Sequence, residues 1–148
     1  MNNGTERVRD LMKTELVTLC SDEHLRIASD LMNLTRVRHM PVVRGDQLVG
    51  ILSQRDLFRA ALSSVLQFGA TAEREWLEKI RVAEAMTADV VTAGPEWSVR
   101  QAVEVMLERR IGCLPVVEND RLIGLISETD CLQLLRQMLC PAPSATAP

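Results

Sequence analysis

The chain has 148 residues, 47% apolar and 25% charged, with a net charge of −3, which is globular composition of a length for one compact domain or two very small ones. With 17 Lys+Arg against 20 Asp+Glu and only 3% aromatic residues, it lacks both the basic footprint of phosphate-backbone binding and the stacking platforms of a single-strand binder. No apolar run approaches the roughly 18 residues of a membrane span.

The opening residues, MNNGTERVRD, hold no apolar segment of signal-peptide type, and the expectation is a cytoplasmic protein. A short strand is expected at 16–19. A helix follows, with Leu25, Ala28, Leu31, Met32 and Thr35 on one face at helical spacing. Two apolar runs, 40–43 and 48–52, flank Arg44-Gly45-Asp46-Gln47 and read as a hairpin. Pro41, second in its run, suits a strand edge or start. A second helix begins near Asp56. Residues 60–81 read as a long helix, kinked or broken at Gly69. The pattern then returns, with a strand at 90–93 and Gly94-Pro95 placed for a first helical turn. A helix with Val99, Ala102, Val103 and Met106 inward follows. A hairpin of 114–117 and 122–126 is divided by Glu118-Asn119-Asp120-Arg121, and a last helix begins near Asp130. The Pro/Ala/Ser-rich residues 141–148 read as a disordered tail.

That return is an internal repeat. With an offset of 74 positions, residues 8–59 lie over 82–133 without a gap and share 16 identities in 52 positions, where chance at about 6% per position gives roughly 3. The shared residues include Met12/Met86, Val17-Thr18/Val91-Thr92, Pro41-Val42-Val43/Pro115-Val116-Val117, Gly50/Gly124 and Ser53-x-x-Asp56/Ser127-x-x-Asp130. Each copy is a strand–helix–strand–strand–helix unit, too small to bury a sufficient core alone, so the two copies are expected to share one.

Cys20, Cys113, Cys131 and Cys140 show no CxxC spacing and no His at zinc-ligand intervals. They read as free thiols, three of them packed as small hydrophobes. Ser53-x-x-Asp56 sits where a strand gives way to a helix. A helix N-terminus offers unpaired N–H groups and a positive dipole end to a phosphate, and a carboxylate accepts hydrogen bonds from vicinal hydroxyls. The same pattern is also a capping box. Thr18 and Thr92, read as strand ends, offer a hydroxyl or plain strand propensity. Trp97 offers a stacking face or a staple contact at a helix start. His24 is expected to be exposed and carries no chemistry.

The duplicated Met40-Pro41-Val42-Val43 and Leu114-Pro115-Val116-Val117, with Leu48-Val49-Gly50-Ile51-Leu52-Ser53-Gln54-Arg55-Asp56 and its copy at 122–130, resemble the tandem CBS (cystathionine β-synthase) domain. The resemblance covers residues 8–139. It implies an α/β (α+β) fold of two β-α-β-β-α repeats related by a pseudo-twofold, with repeat one at 8–70, a linker helix at 71–81 and repeat two at 82–140. It implies two clefts for adenosine-containing ligands such as AMP, ADP, ATP or S-adenosylmethionine, with no other cofactor. Cleft one would use Ser53, Asp56 and Thr92, with Ile111 near the adenine; the stacking face of Trp97, where it is not a staple contact, would serve the same adenine. Cleft two would use Ser127, Asp130 and Thr18, with Val37 near the adenine. Family members with phosphorylated ligands often carry basic residues at the positions of Arg38 and His39, and Arg55 adds a third cation. Their counterparts Gly112, Cys113 and Thr129 are uncharged, so cleft one is the expected phosphate site. The resemblance further implies a homodimer and an effector protein to regulate. The competing readings are a dimerising scaffold with empty clefts and an enzyme. Against the enzyme, the chain has no Walker loop, nucleophile elbow or metal-ligand cluster.

Overall fold

The computed structural model describes residues 6–68 and 73–140. In chain order these form α1 (Val8–Leu11), β1 (Leu19–Cys20), α2 (Leu25–Thr35), β2 (His39–Arg44), β3 (Gln47–Ser53), α3 (Gln54–Phe68), α4 (Glu73–Leu77), α5 (Val82–Ala85), α6 (Val99–Arg109), β4 (Cys113–Glu118), β5 (Arg121–Ser127) and α7 (Glu128–Leu139). Mixed α/β structure with small sheets is thus the fold class. The expected break at Gly69 and the tail at 141–148 lie outside the described residues.

The chain divides into two compact units, and neither is a contiguous repeat. Of the described residues, one unit comprises those within 15–91 together with 119–122, and the other those within 6–14, 92–118 and 123–140. The segment that opens each sequence repeat therefore packs in the unit built on the other repeat's helix and hairpin.

In the first of these units the sheet order is β1-β2-β3. Leu19 and Cys20 pair in parallel with Val42 and Val43, and β2 pairs antiparallel with β3 from His39↔Ser53 to Arg44↔Gln47. The first strand is shorter and later than the expected 16–19. Pro41 lies in the central strand, but β1 reaches only Val42 and Val43, so its missing N–H disrupts no ladder. Helix α2 buries Leu25, Ala28 and Met32 against Leu19, Met40, Val42, Leu52, Leu57, Leu77 and Val82. Each large apolar side chain so buried contributes about 1.5–3 kcal/mol. Thr35, expected on this face, is exposed, and its hydroxyl donates to the Leu31 carbonyl at 2.6 Å. Of the expected long helix at 60–81, the described residues give α3 to Phe68 and α4 over Glu73–Leu77, and residues 78–81 are no longer helical.

In the other unit α6 buries Val99, Ala102 and Met106, the counterparts of the α2 trio. Ser98 caps α6 by accepting from the Gln101 N–H, so Pro95 precedes the helix rather than opening it. The expected strand at 90–93 is reduced to one parallel bridge, Ala93↔Val116. Asn119 and Asp120 both adopt positive φ at the hairpin tip, a conformation their short polar side chains tolerate.

Both opening segments are held alike. In one unit Val8 is fully buried, its N–H donates to the Trp97 carbonyl at 2.8 Å, and Arg7 Nη1 donates to the Glu96 carbonyl at 2.8 Å. In the other Val82 is fully buried, its N–H donates to the Glu23 carbonyl at 2.7 Å, and Arg81 Nη1 donates to the Asp22 carbonyl at 2.8 Å. Lys13 then bridges Leu125, and Thr87 bridges Ile51. The crossing requires glycine beneath it. A Cβ at Gly124 would lie 2.5 Å from Met12 Sδ and 3.0 Å from the Lys13 carbonyl oxygen, and one at Gly50 would overlap Met86 Sδ and lie 3.1 Å from the Thr87 carbonyl oxygen. Gly50→Ala and Gly124→Ala are each expected to cost about 1–3 kcal/mol through overpacking. Urea unfolding monitored by circular dichroism checks this, and an unchanged midpoint for both would contradict the close crossing.

Candidate functional site

The two strand-to-helix junctions are built by the same hydrogen bonds. Ser53 ends β3 and Gln54 opens α3 with no residue between. Asp56 Oδ2 accepts from the Ser53 N–H at 2.8 Å and from the Ser53 hydroxyl at 2.7 Å, and the Asp56 N–H donates back to Ser53 Oγ at 3.2 Å. At the second junction Asp130 Oδ2 accepts from the Ser127 N–H at 2.8 Å and the Ser127 hydroxyl at 2.7 Å, with a return bond of 3.4 Å. The capping reading of Ser-x-x-Asp holds at both. Only one carboxylate oxygen is used, so capping leaves the other for a second role.

Residues 38 and 39 are drawn to the first junction by backbone geometry. The Arg38 carbonyl accepts the Gln54 N–H at 2.8 Å, and His39 stands opposite Ser53 across the hairpin, which puts both side chains on one face. Arg55 is on the first turn of α3. Within one unit the structure therefore gathers Arg38, His39, Ser53, Arg55 and Asp56 around one helix N-terminus. Arg38 and Arg55 are exposed, and the other three are half-buried. Among the described residues neither arginine forms an ion pair, and no cation pairs with Asp56.

At the second junction the Gly112 carbonyl accepts the Glu128 N–H at 2.9 Å, but the side chains differ. Gly112, Cys113 and Thr129 bring no charge. Burial, and then the neighbouring Glu128 carboxylate, push the Cys113 thiol up to about 12. Asp130 is 4% exposed, and its Oδ1 lies 3.7 Å from Lys13 Nζ. The sequence reading passed over Lys13 because its counterpart Thr87 differs.

The remaining expected residues are placed as follows. Thr18 is exposed and precedes β1; Thr92 is half-buried and precedes the Ala93 bridge. Both are entry positions, not strand ends. Val37 is half-buried on the core of its own unit. Ile111 is half-buried and its N–H donates to the Met106 carbonyl at 3.0 Å, following Arg110 at φ 55°. The indole of Trp97 covers Gly94, with Cδ1 and Nε1 3.3 Å from where a Cβ would stand. Thr18 and Val37 are in the unit of the first junction; Thr92, Trp97 and Ile111 are in the unit of the second. His24 is exposed, as expected. All four cysteines are free, but only Cys113 is buried. Cys131 is half-buried and Cys20 and Cys140 are exposed, which corrects the expectation of three packed thiols. Among the described residues no group of three His, Cys, Asp or Glu could hold a metal ion, and no helix is long and apolar enough to cross a membrane.

The CBS domain family model matches residues 8–63 and again 82–137. A CBS domain-containing protein of Dictyostelium discoideum is 33% identical over 138 residues, 92% of this chain and 95% of that protein. Inosine-5′-monophosphate dehydrogenase of Korarchaeum cryptofilum is 30% identical over 88% of this chain, but the match spans only 24% of that enzyme. Among solved structures, the CBS domain pair of protein MJ0100, in complex with 5′-methylthioadenosine and S-adenosyl-L-methionine, has the same fold (TM-score 0.74, 22% identity, 88% of this chain and 99% of that one).

The thiol environments predict a reactivity order. Iodoacetamide on the folded protein at mildly alkaline pH is expected to alkylate Cys20 and Cys140 first, Cys131 more slowly, and Cys113 only after denaturation. Peptide mass spectrometry reads the order; early alkylation of Cys113 would contradict its burial.

Proposed function

Because the chain belongs to the CBS domain family, we propose that it is a regulatory module that binds an adenosine-containing ligand, and not an enzyme. AMP, ADP, ATP or S-adenosylmethionine would bind and alter the chain's contact with a separate effector protein in the cytoplasm. The observation that carries this reading is the cluster at the first junction: a carboxylate whose second oxygen the cap leaves over, a helix N-terminus, His39, and Arg38 and Arg55, which form no ion pair among the described residues. Asp56 accepts from the ribose hydroxyls, with Ser53 holding it in place. Arg38, His39 and Arg55 attract the phosphates. Thr92 and Ile111 are assigned to the same ligand by the family resemblance alone and Trp97 by its indole face, while Ser127, Asp130, Thr18 and Val37 are where the resemblance would put a second, weaker site. The complex formed by the MJ0100 CBS pair supports the ligand class, since it shows adenosine compounds bound to this fold.

A second reading, a dimerising scaffold without ligand, is favoured by the exposed apolar residues of the second helix of each repeat. Phe58, Leu62, Val65 and Leu66 lie exposed on α3, and Leu132, Leu135, Met138 and Leu139 on α7. Apolar surface of this extent is the kind that associates, and a homodimer is compatible with both readings.

Calorimetric titration with AMP, ATP and S-adenosylmethionine separates them. Heat with any one supports the module, and none at millimolar ligand leaves the scaffold. Asp56→Ala is expected to weaken binding by about tenfold or more, the loss of hydrogen bonds to a charged acceptor, while Asp130→Ala has a smaller effect. The reverse order would refute the choice of junction.

A further inference from the structure

The two junctions share a backbone and differ in one charge, and from that difference we infer that Lys13 is a built-in occupant of the second repeat's carboxylate that restricts this chain to one ligand. The inference rests on the reading that the aspartate receives the ribose hydroxyls.

Lys13 is held by its main chain. Its N–H donates to the Leu125 carbonyl and its carbonyl accepts the Leu125 N–H, both at 2.9 Å. Met12, beside it, is lodged over Gly124. The side chain starts from this fixed point, and its ammonium lies 3.7 Å from Asp130 Oδ1, the oxygen that the cap leaves over. Among the described residues Asp130 is the one buried charged side chain. A carboxylate in that setting must be compensated, and Lys13, exposed along much of its length, supplies the charge. A ribose diol would have to displace the ammonium to reach the same oxygen, and displacement would leave a cation beside a neutral donor.

Thr87 occupies the corresponding place beside the first junction. It makes the same pair of backbone bonds, to Ile51, both at 2.9 Å, and Met86 is lodged over Gly50 as Met12 is over Gly124. Its side chain is short and uncharged, and among the described residues no cation replaces it at Asp56. Asp56 is also less buried than Asp130. The same scaffold is thus closed by a lysine in one repeat and open at a threonine in the other.

Equilibrium dialysis with labelled AMP on the full chain and two exchange variants tests this. The wild type is expected to bind one equivalent. Lys13→Thr is expected to bind two, and Thr87→Lys to bind AMP weaker by about tenfold or more. Thr87 is exposed, so its variant keeps the test decisive if Lys13→Thr fails to fold by circular dichroism. A wild type that binds two equivalents, a folded Lys13→Thr that gains none, or a Thr87→Lys that binds as the wild type does would each overturn the inference. If the wild type binds no AMP but Lys13→Thr binds one equivalent, the proposal for Asp56 fails and the role of Lys13 stands. If neither binds AMP, the inference about Lys13 fails, and the role of Asp56 is decided by the ATP and S-adenosylmethionine titrations.

Discussion

Lys13 and Thr87 each exchange two backbone hydrogen bonds with a hairpin strand, at Leu125 and Ile51, and the exchange works because the strand residue just before, Gly124 or Gly50, has no side chain. With any Cβ there, the Met12 or Met86 side chain and the carbonyl beyond it would have to move outward. That close crossing joins the opening segment of one repeat to the hairpin of the other. It brings Val8 and Val82 into fully buried positions, and it places residues 13 and 87 beside the aspartates that cap α7 and α3. The reciprocal arrangement also answers the size problem of the repeat. About fifty residues bury too little apolar surface to fold alone, and exchanging a buried segment makes each unit depend on both copies.

The capping box carries the next step. Ser-x-x-Asp satisfies backbone donors at the start of the helix and in doing so fixes one carboxylate oxygen at hydrogen-bond distance from the serine N–H and hydroxyl. An aspartate restrained in this way points its second oxygen in a defined direction at little further entropic cost. A cap and a binding group are therefore compatible uses of one side chain, and the identity of the residue alone does not separate them. What separates them is the neighbour that faces the spare oxygen.

The repeat made most of the fold legible in the sequence. Helical spacing located Leu25, Ala28 and Met32, and the offset of 74 transferred the reading to Val99, Ala102 and Met106. Turn chemistry located both hairpins. The first strands were misplaced because a run of apolar residues marks burial rather than pairing. Leu16 and Val17 are only half-buried, and the ladder begins at Leu19. Thr35 was misplaced because spacing counts a threonine as inward, while its hydroxyl bonds its own helix. The exchange of opening segments had no local signal, since it is set by contacts some 40 to 110 residues apart in sequence. The turns after α2 and α6 were also illegible. Arg36 and Arg110 hold positive φ, where glycine is the usual residue. At the candidate site the cations and Ser-x-x-Asp were readable as types, whereas their gathering depends on the His39↔Ser53 register and the Arg38 carbonyl bond.

Electrostatics gives those cations their significance. Arg38 serves the fold only through its carbonyl, and Gly112 shows that a residue without a side chain does the same. Arg55 sits in the first turn of α3, at the positive end of the helix dipole, where basic groups are disfavoured and acidic ones favoured. The second repeat follows the favourable pattern, with Glu128 and Asp130 in the first turn of α7 and no cation beside them on that turn. The first repeat keeps Asp56 alone against two arginines and a histidine. Arg38 and Arg55 are exposed and form no ion pair among the described residues, so solvent screens their repulsion and holding two cations there costs the unit little. An anion bound at the N-terminus of α3 would meet the dipole and the basic side chains at once. On the proposed reading, the cations that the second repeat does without are the ones that would meet a phosphate.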